Sequence, residues 1–319
     1  MKTIGVLTSG GDAPGMNAAV RAVVRTAIDA GLKVKGIRHG YHGLIHGEIF
    51  DMDIRSVSDI IHRGGTILYS ARCPEFKTEE GMQAAIESCK KFGIEGIVAI
   101  GGDGSFRGAR DLSLRGIPCV GVPGTIDNDI SSTDYTIGFD TATSTAMEMV
   151  DRLRDTSQSH DRCSVVEVMG RNAGHLALQC GIAVGATAIL VPEVEFTFDD
   201  IVNKINTIKK TGKKHFIIIV AEGVGGVEKL AKDIEAATGI ESRATILGHV
   251  QRGGSPTVRD RVAATRLGYA AVKLLEKGIG NRVVAIRNDE VVDYDIFEAL
   301  NMKKPFDLKM YEIANVTSI

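Results

Sequence analysis

What most constrains this chain is an alternation: short apolar runs that stop at glycine or polar residues, each followed by a segment of helical periodicity. The clearest runs are residues 4–8, 96–100, 119–122, 164–168 and 215–221. Continuous apolar strands are buried on both faces, the condition of a parallel sheet covered by helices, so the pattern predicts repeated βαβ units. Open sheets of this kind take their ligands at the carboxyl ends of the strands. That is where this sequence places glycines and polar side chains. At 319 residues the chain exceeds the usual extent of one hydrophobic core, and two α/β domains are expected. No fixed-period repeat, low-complexity tract or Pro/Ser-rich linker marks a boundary.

Charge and cysteine usage exclude several classes. The 38 Lys and Arg against 40 Asp and Glu give a formal charge of −2, which offers no general attraction to nucleic acid or an anionic membrane, so any anion site must be local. The five cysteines (Cys73, Cys89, Cys119, Cys163 and Cys180) form no C-x-x-C pair and fit reduced thiols better than disulfides. Met1-Lys2-Thr3 leads straight into a strand-like run without the apolar core of a signal peptide, and no stretch is long enough to span a bilayer. A cytoplasmic location is expected.

Three segments carry the chemistry. Residues 8–17, Thr-Ser-Gly-Gly-Asp-Ala-Pro-Gly-Met-Asn, join a strand to a helix whose apolar stripe is Ala19, Val20, Val23, Val24 and Ala27, with Pro14 suited to the helix start. Gly10 and Gly15 have Walker A spacing, yet Met16-Asn17 stands where Lys-Ser or Lys-Thr is required, and the loop does not read G-x-G-x-x-G. It fits a glycine-rich anion cradle or, equally, a tight turn. The second segment is Gly101-Gly102-Asp103-Gly104-Ser105. Adjacent glycines let a backbone touch polyphosphate, and Asp103 offers the hard oxygen that Mg²⁺ prefers. A helix start capped by Ser105 or Asp103 is the bland reading. In the third, residues 123–129, Pro-Gly-Thr-Ile-Asp-Asn-Asp, an extended backbone would turn Thr125, Asp127 and Asp129 to one side, giving a base beside a metal; an Asx-turn is the alternative.

Taken with Met-Gly-Arg at 169–171 and Gly-His-Val-Gln-Arg-Gly-Gly-Ser-Pro at 248–256, these segments resemble, collinearly and nearly end to end, the signatures of bacterial-type ATP-dependent 6-phosphofructokinases. The resemblance implies two three-layer, Rossmann-like α/β domains with mostly parallel sheets and the active site in the cleft between them. The ATP domain would be 1–138 plus 251–304, and the fructose 6-phosphate domain 139–250 plus 305–319. It implies ATP phosphates on Gly11, Arg72, Cys73, Gly102, Asp103, Gly104 and Ser105, with Asp103 holding Mg²⁺. Asp127 would be the base for the sugar 1-hydroxyl, assisted by Thr125, with Arg72 and Arg171 stabilising the moving phosphoryl charge. The acceptor would contact Thr125, Ile126, Asp127, Met169, Gly170, Arg171, Glu222, His249, Val250, Gln251 and Arg252. Arg162 and Arg243 would reach its phosphate from a neighbouring subunit, implying a homotetramer.

Two glycines select the donor within this resemblance. Pyrophosphate-dependent relatives carry aspartate at the position of Gly104 and lysine at that of Gly124, so this chain is expected to use ATP. A second anion site, for ADP or phosphoenolpyruvate, is implied at Arg21, Arg25, Asp59, Arg154, Gly185, Lys213 and His215. Thr187, Ile54 and Thr211 depart from the family pattern there, predicting a weakened nucleotide response. His39, His42 and His46 have a metal-like spacing, but the glycines at 40, 43 and 47 argue against a helix, and zinc is not expected. Arg72 beside Cys73 would lower that thiol's pKa, although a backbone role suffices. A pyrophosphate enzyme, a non-catalytic sugar-phosphate sensor and an NAD-linked oxidoreductase are the alternative readings. A sensor would lack Asp103, Asp127 or Arg171, and an oxidoreductase needs a fingerprint loop that is absent.

Overall fold

A computed structural model describes residues 1–318, and Ile319, the end of the expected 305–319 segment, lies outside the described residues. In chain order the strands are β1 (Thr3–Ser9), β2 (Lys33–Ile37), β3 (Ile49–Met52), β4 (Gly96–Gly101), β5 (Cys119–Pro123), β6 (Cys163–Val168), β7 (Ala188–Leu190), β8 (Phe216–Ala221), β9 (Ser242–Ile246), β10 (Arg282–Arg287) and β11 (Glu290–Asp295). The helices are α1 (Met16–Asp29), α2 (Gly40–His46), α3 (Glu79–Phe92), α4 (Asp103–Ser113), α5 (Phe139–Ser159), α6 (His175–Ala183), α7 (Phe198–Lys209), α8 (Val227–Thr238), α9 (Val258–Glu276), α10 (Ile296–Asn301) and α11 (Leu308–Thr317). The chain divides into two compact units. The first holds Met1–Ile126, Ile130–Thr141 and Arg252–Lys304, and the second Asp127–Asp129, Ala142–Gln251 and the chain from Pro305 onward.

In the first unit a seven-stranded sheet runs β11-β10-β5-β4-β1-β2-β3. All its neighbours are parallel except the edge pairs β2–β3 and β10–β11. β1, β4 and β5 are buried along their whole length, which is why they read as unbroken apolar runs. The edge strands β3 and β11 are half exposed and carry charge, which discourages pairing with another chain. The predicted α1 stripe is buried, and α1 packs along α9, where a Cβ at Gly268 would lie 2.9 Å from the Ala19 carbonyl oxygen. Glycine there lets two helix backbones approach closely.

The second unit has a four-stranded, wholly parallel sheet in the order β7-β8-β6-β9. Its core is built from Val165, Phe216, Ile218 and Val220 of the strands against Ile205 and Ile208 of α7 and Ile234 of α8. The α7 start is fixed by a capping box between Thr197 and Asp200, a device whose cap residue contributes about 1 kcal/mol. No helix among the described residues is long and apolar enough to cross a membrane.

Several local expectations need correction. α1 begins at Met16 behind Gly15, whose φ of 100° is left-handed, rather than at Pro14. The glycines at 40 and 43 do not prevent a helix: α2 forms over Gly40–His46 because Gly43 packs directly on the Arg38 carbonyl, where no side chain fits. No group of three or more His, Cys, Asp or Glu among the described residues could hold a metal; His39 Nδ1 instead meets Glu48 Oε2 at 2.6 Å. The extended backbone supposed for residues 123–129 stops at Pro123. The chain bends at Ile126–Asp127 and Asn128 is left-handed with φ 51°, so side chains 125, 127 and 129 do not alternate as on a strand.

Candidate active site

The strand order reverses between the parallel neighbours β1 and β4, since β2 and β3 lie on one side of β1 and β4, β5, β10 and β11 on the other. A ligand crevice is expected outside the carboxyl ends of strands at such a switch point. Both glycine loops emerge there, because Ser9 pairs in register with Gly101. A Cβ at Gly101 would collide with the Ser9 carbonyl and the Ser105 hydroxyl. The Ser105 hydroxyl donates to the Ser9 carbonyl at 3.0 Å, and the Ser105 carbonyl accepts from Tyr41 at 2.5 Å. Gly102 is the N-cap of α4 with no side-chain cap, so neither Ser105 nor Asp103 caps this helix and its end is left for an anion. The Asp103 carboxylate is half exposed and accepts from Arg107 Nε at 2.8 Å. Nothing lies within 4 Å of a Cβ at Gly104.

The other residues assigned to the donor lie around the same loops. Ser70 donates to the Gly10 carbonyl, and Thr8 Oγ1 donates to the Tyr69 carbonyl at 2.8 Å, which ties residues 69–70 to the end of β1, two positions before exposed Arg72. Burial raises the half-buried Cys73 thiol above its ordinary pKa, so the lowered value expected from Arg72 is overturned. Arg252, assigned from the sequence to the sugar phosphate, sits in the first unit: Nη1 donates to the Asp12 carbonyl at 3.1 Å, and a Cβ on Gly11 would collide with its guanidinium. After β5, Gly124 N donates to the Gly101 carbonyl at 3.0 Å and Thr125 N to the Ile137 carbonyl at 3.1 Å. The Thr125 Cβ is 3.9 Å from a Cβ built on Gly102. Ile126 is wholly buried, which leaves only its backbone to meet a ligand.

In the second unit Asp127 is 0% exposed, and Arg171 Nε lies 3.2 Å from its Oδ2. Gly170 at φ 140° and Arg171 at φ 53° form a left-handed turn after β6, held by Arg171 N donating to Glu222 Oε2 at 3.0 Å. Met169 N donates to Gln251 Oε1 at 2.9 Å, and the buried Gln251 Nε2 has no partner among the described residues. Burial, then the charge of Glu222, raises the Glu167 carboxyl above its usual pKa. His249 and Val250 are exposed on the turn Gly248–Arg252. Glu241 clamps both outlying arginines, with Oε2 2.8 Å from Arg162 Nε and Oε1 2.6 Å from Arg243 Nη2. Hydrogen bonds from these two arginines hold its carboxyl below the usual range. In the sequence Glu241 shows only as a lone acid two positions from Arg243, with nothing to mark it as functional.

The residues assigned to an effector fall into two groups. Arg21 and Arg25 sit one turn apart on α1, and Arg21 is pushed below its ordinary pKa by burial and then by Arg25. In the second unit His215 is pushed down by burial, then by Lys213 and Arg154. Cations that depress one another are ready for an anion. Asp59 belongs to the first unit and Gly185 to the second. The hydroxyl of Thr187, one of the departures from the family pattern, is buried without a partner among the described residues.

Glycine amides, arginines and a buried carboxylate at the carboxyl ends of parallel strands are the equipment of an α/β phosphotransferase. The sequence profile of the phosphofructokinase family matches residues 3–275. The ATP-dependent 6-phosphofructokinase of Clostridium botulinum (strain Loch Maree / Type A3) is 59% identical over 318 residues, covering 100% of both chains. That of Clostridium novyi (strain NT) is 60% identical over 318 residues, again 100% of each. Phosphofructokinase from Saccharomyces cerevisiae matches in structure with a TM-score of 0.89 at 35% identity over 100% of this chain and 48% of that one, so the present chain spans about half of the yeast chain. The chain belongs to the phosphofructokinase family.

Proposed function

We propose that the chain transfers the γ-phosphoryl group of ATP to the 1-hydroxyl of D-fructose 6-phosphate, giving fructose 1,6-bisphosphate and ADP, the committed step of glycolysis, in the cytoplasm. The observation that carries this reading is the fully buried Asp127 carboxylate with the Arg171 guanidinium 3.2 Å away, on a chain whose switch-point loops leave glycine amides open to an anion. Asp127 takes the proton of the attacking hydroxyl, a task that needs an ionised carboxylate in a dry setting. Thr125 helps hold the acceptor, and Arg171 and Arg72 balance charge on the equatorial phosphoryl oxygens. Met169, Gly170, Glu222, His249, Val250, Gln251 and Arg252 hold the sugar phosphate.

A Mg²⁺ ion accompanying the nucleotide fits Asp103. Magnesium characteristically uses one or two carboxylates plus substrate phosphates rather than a protein cage, and a single accessible carboxylate among open glycines is what this loop provides. When bound, the ion supplies positive charge against the phosphates, the part a Walker lysine would play. An ADP-release assay with ATP and fructose 6-phosphate tests the assignment, and absence of sugar-dependent ADP release overturns it. Running the same assay with pyrophosphate separates the rival donor.

Arg252 leads to one expectation that the sequence alone does not. Gly11→Ala must displace the far end of a flexible side chain, so stability changes little, but the Arg252 contact with the 11–12 loop is lost. The Michaelis constant for fructose 6-phosphate is expected to rise about tenfold, the effect of losing one charged contact worth roughly 1.4 kcal/mol. Initial rates over a grid of both substrates decide it. A change confined to the ATP constant contradicts Arg252 as a sugar-phosphate ligand.

The same reading makes the enzyme a homotetramer, with Arg162 and Arg243 completing a neighbour's site and effector anions at Arg21, Arg25, Asp59, Arg154, Gly185, Lys213 and His215. With Thr187 offering a hydroxyl where the family has a carboxylate for the effector's metal, MgADP is expected to activate weakly. Titrating ADP and phosphoenolpyruvate against rate checks this, and strong MgADP activation is the contrary result.

A further inference from the structure

Asp260, in the first turn of α9, is 0% exposed, lies outside every motif singled out in the sequence, and gathers four donors from one distant segment. Its Oδ1 accepts from the Tyr135 hydroxyl and from Gly138 N at 2.6 Å. Its Oδ2 accepts from Thr141 N at 2.9 Å and from the Thr141 hydroxyl at 2.5 Å. The helix end adds further ties: Thr257 N donates to Thr141 Oγ1 at 3.0 Å, the Thr257 hydroxyl donates to Asp140 Oδ2 at 2.7 Å, and Arg259 lies over the Tyr135 ring at 4.4 Å. A buried carboxylate held only for helix capping would accept from its own helix end. This one spends both oxygens on residues 135–141.

That segment in turn gives strand-like support to the chain leaving β5, on the side away from β4. Ile137 bridges Gly124, Thr125 N donates to the Ile137 carbonyl at 3.1 Å, Ile137 N donates to the Pro123 carbonyl at 3.0 Å, and the Thr136 hydroxyl donates to the Thr125 carbonyl at 2.7 Å. It also backs the first glycine loop: a Cβ at Gly138 would lie 2.7 Å from the Ala13 Cβ, and one at Gly15 would lie 2.6 Å from Ile137 Cγ2 and 3.5 Å from the Asp260 Cβ. Two chemistry-bearing loops therefore lean on one brace, and four of the brace's hydrogen bonds end on one carboxylate.

We propose that Asp260 is a positioning residue for phosphoryl transfer, fixing through residues 135–141 the backbone that presents Thr125 and the first glycine loop. The inference rests on the kinase reading above, while its exchange measurement does not. Asp260→Asn keeps the shape of the side chain and sets an amide donor against a donor of Thr141. Thr141→Val removes the hydroxyl, and with it the bond to Asp260 and the one accepted from Thr257 N, while Thr141→Ser preserves both. Val272→Ala, a buried change on the same helix away from the brace, is the control for lost stability. At temperatures where all variants are folded, Asp260→Asn is expected to lower kcat roughly 10–100-fold, the scale of a small misplacement of reacting groups, and to speed amide exchange across 123–138. Val272→Ala and Thr141→Ser should do neither. A kcat within about twofold of the parent, or a fall in kcat with unchanged exchange over 123–138, overturns the proposal. If Asp260→Asn does not fold, Thr141→Val carries the same test on the same two measurements. Turnover of fructose 6-phosphate by the parent enzyme separately checks the underlying reading.

Discussion

Replacing Asp127 with asparagine is expected to lower kcat by roughly 10²–10⁴-fold, the contribution of a positioned general base. The size of the effect follows from the burial of the group. A carboxylate with no exposed surface is not readily replaced by a water molecule, and Arg171, whose Nε lies 3.2 Å away, is a cation with no acceptor capacity. Asparagine keeps the outline of the side chain but accepts no proton at neutral pH. Loss of the ion pair should itself cost little stability, because the Arg171 side chain is 60% exposed and regains water when its partner loses charge. The Michaelis constant for ATP should hold, since the nucleotide phosphates are assigned to the glycine loops and Arg72 and not to Asp127. Steady-state kinetics with both substrates, alongside thermal unfolding, measures all three. Full turnover by Asp127→Asn removes the residue from the role of base and returns the mechanism to simple positioning.

The strands that position these groups were legible because a parallel strand covered on both faces has to be apolar throughout: β1, β4, β5, β6 and β8 fall on the five runs named from the sequence. β9, Ser-Arg-Ala-Thr-Ile, and the edge strands β3 and β11 were not, because each keeps polar side chains where one face or edge meets water. α2 was misjudged for a different reason. Glycine costs helix stability in isolation, but here the close approach of the Arg38 carbonyl admits nothing larger at Gly43. The glycine loops could be found by motif, since their chemistry is local in sequence. Asp260 could not: its donors lie up to 125 positions away, and a single aspartate in the first turn of a helix reads as an ordinary favourable charge near the helix N-terminus. The same holds for Arg252, whose sequence neighbours suggested only the sugar phosphate and whose guanidinium packs against Gly11.

Gly104→Asp is expected to separate stability from activity in opposite directions. A Cβ at this position meets nothing within 4 Å, so aspartate enters without moving a neighbour. It is the second residue of α4, where a negative side chain interacts favourably with the helix dipole by about 0.3–1 kcal/mol. The variant should therefore melt at or slightly above the parent temperature. The same carboxylate stands beside Asp103 in the space that the uncapped helix end leaves for an anion, and like charges brought together cost several kcal/mol. A loss of about 3 kcal/mol corresponds to a fall in kcat/KM for ATP on the order of 100-fold. Gly124→Lys is a poorer probe of the same question, since its Cβ would press within 3.2 Å of Ile100 and 3.3 Å of Met16 and would perturb the fold as well as the site. Turnover with ATP and with pyrophosphate, set against calorimetric melting of the same preparation, gives the decisive comparison. If Gly104→Asp retains its ATP rate, nucleotide phosphate does not occupy the space above α4, and the donor must be placed elsewhere on the first unit.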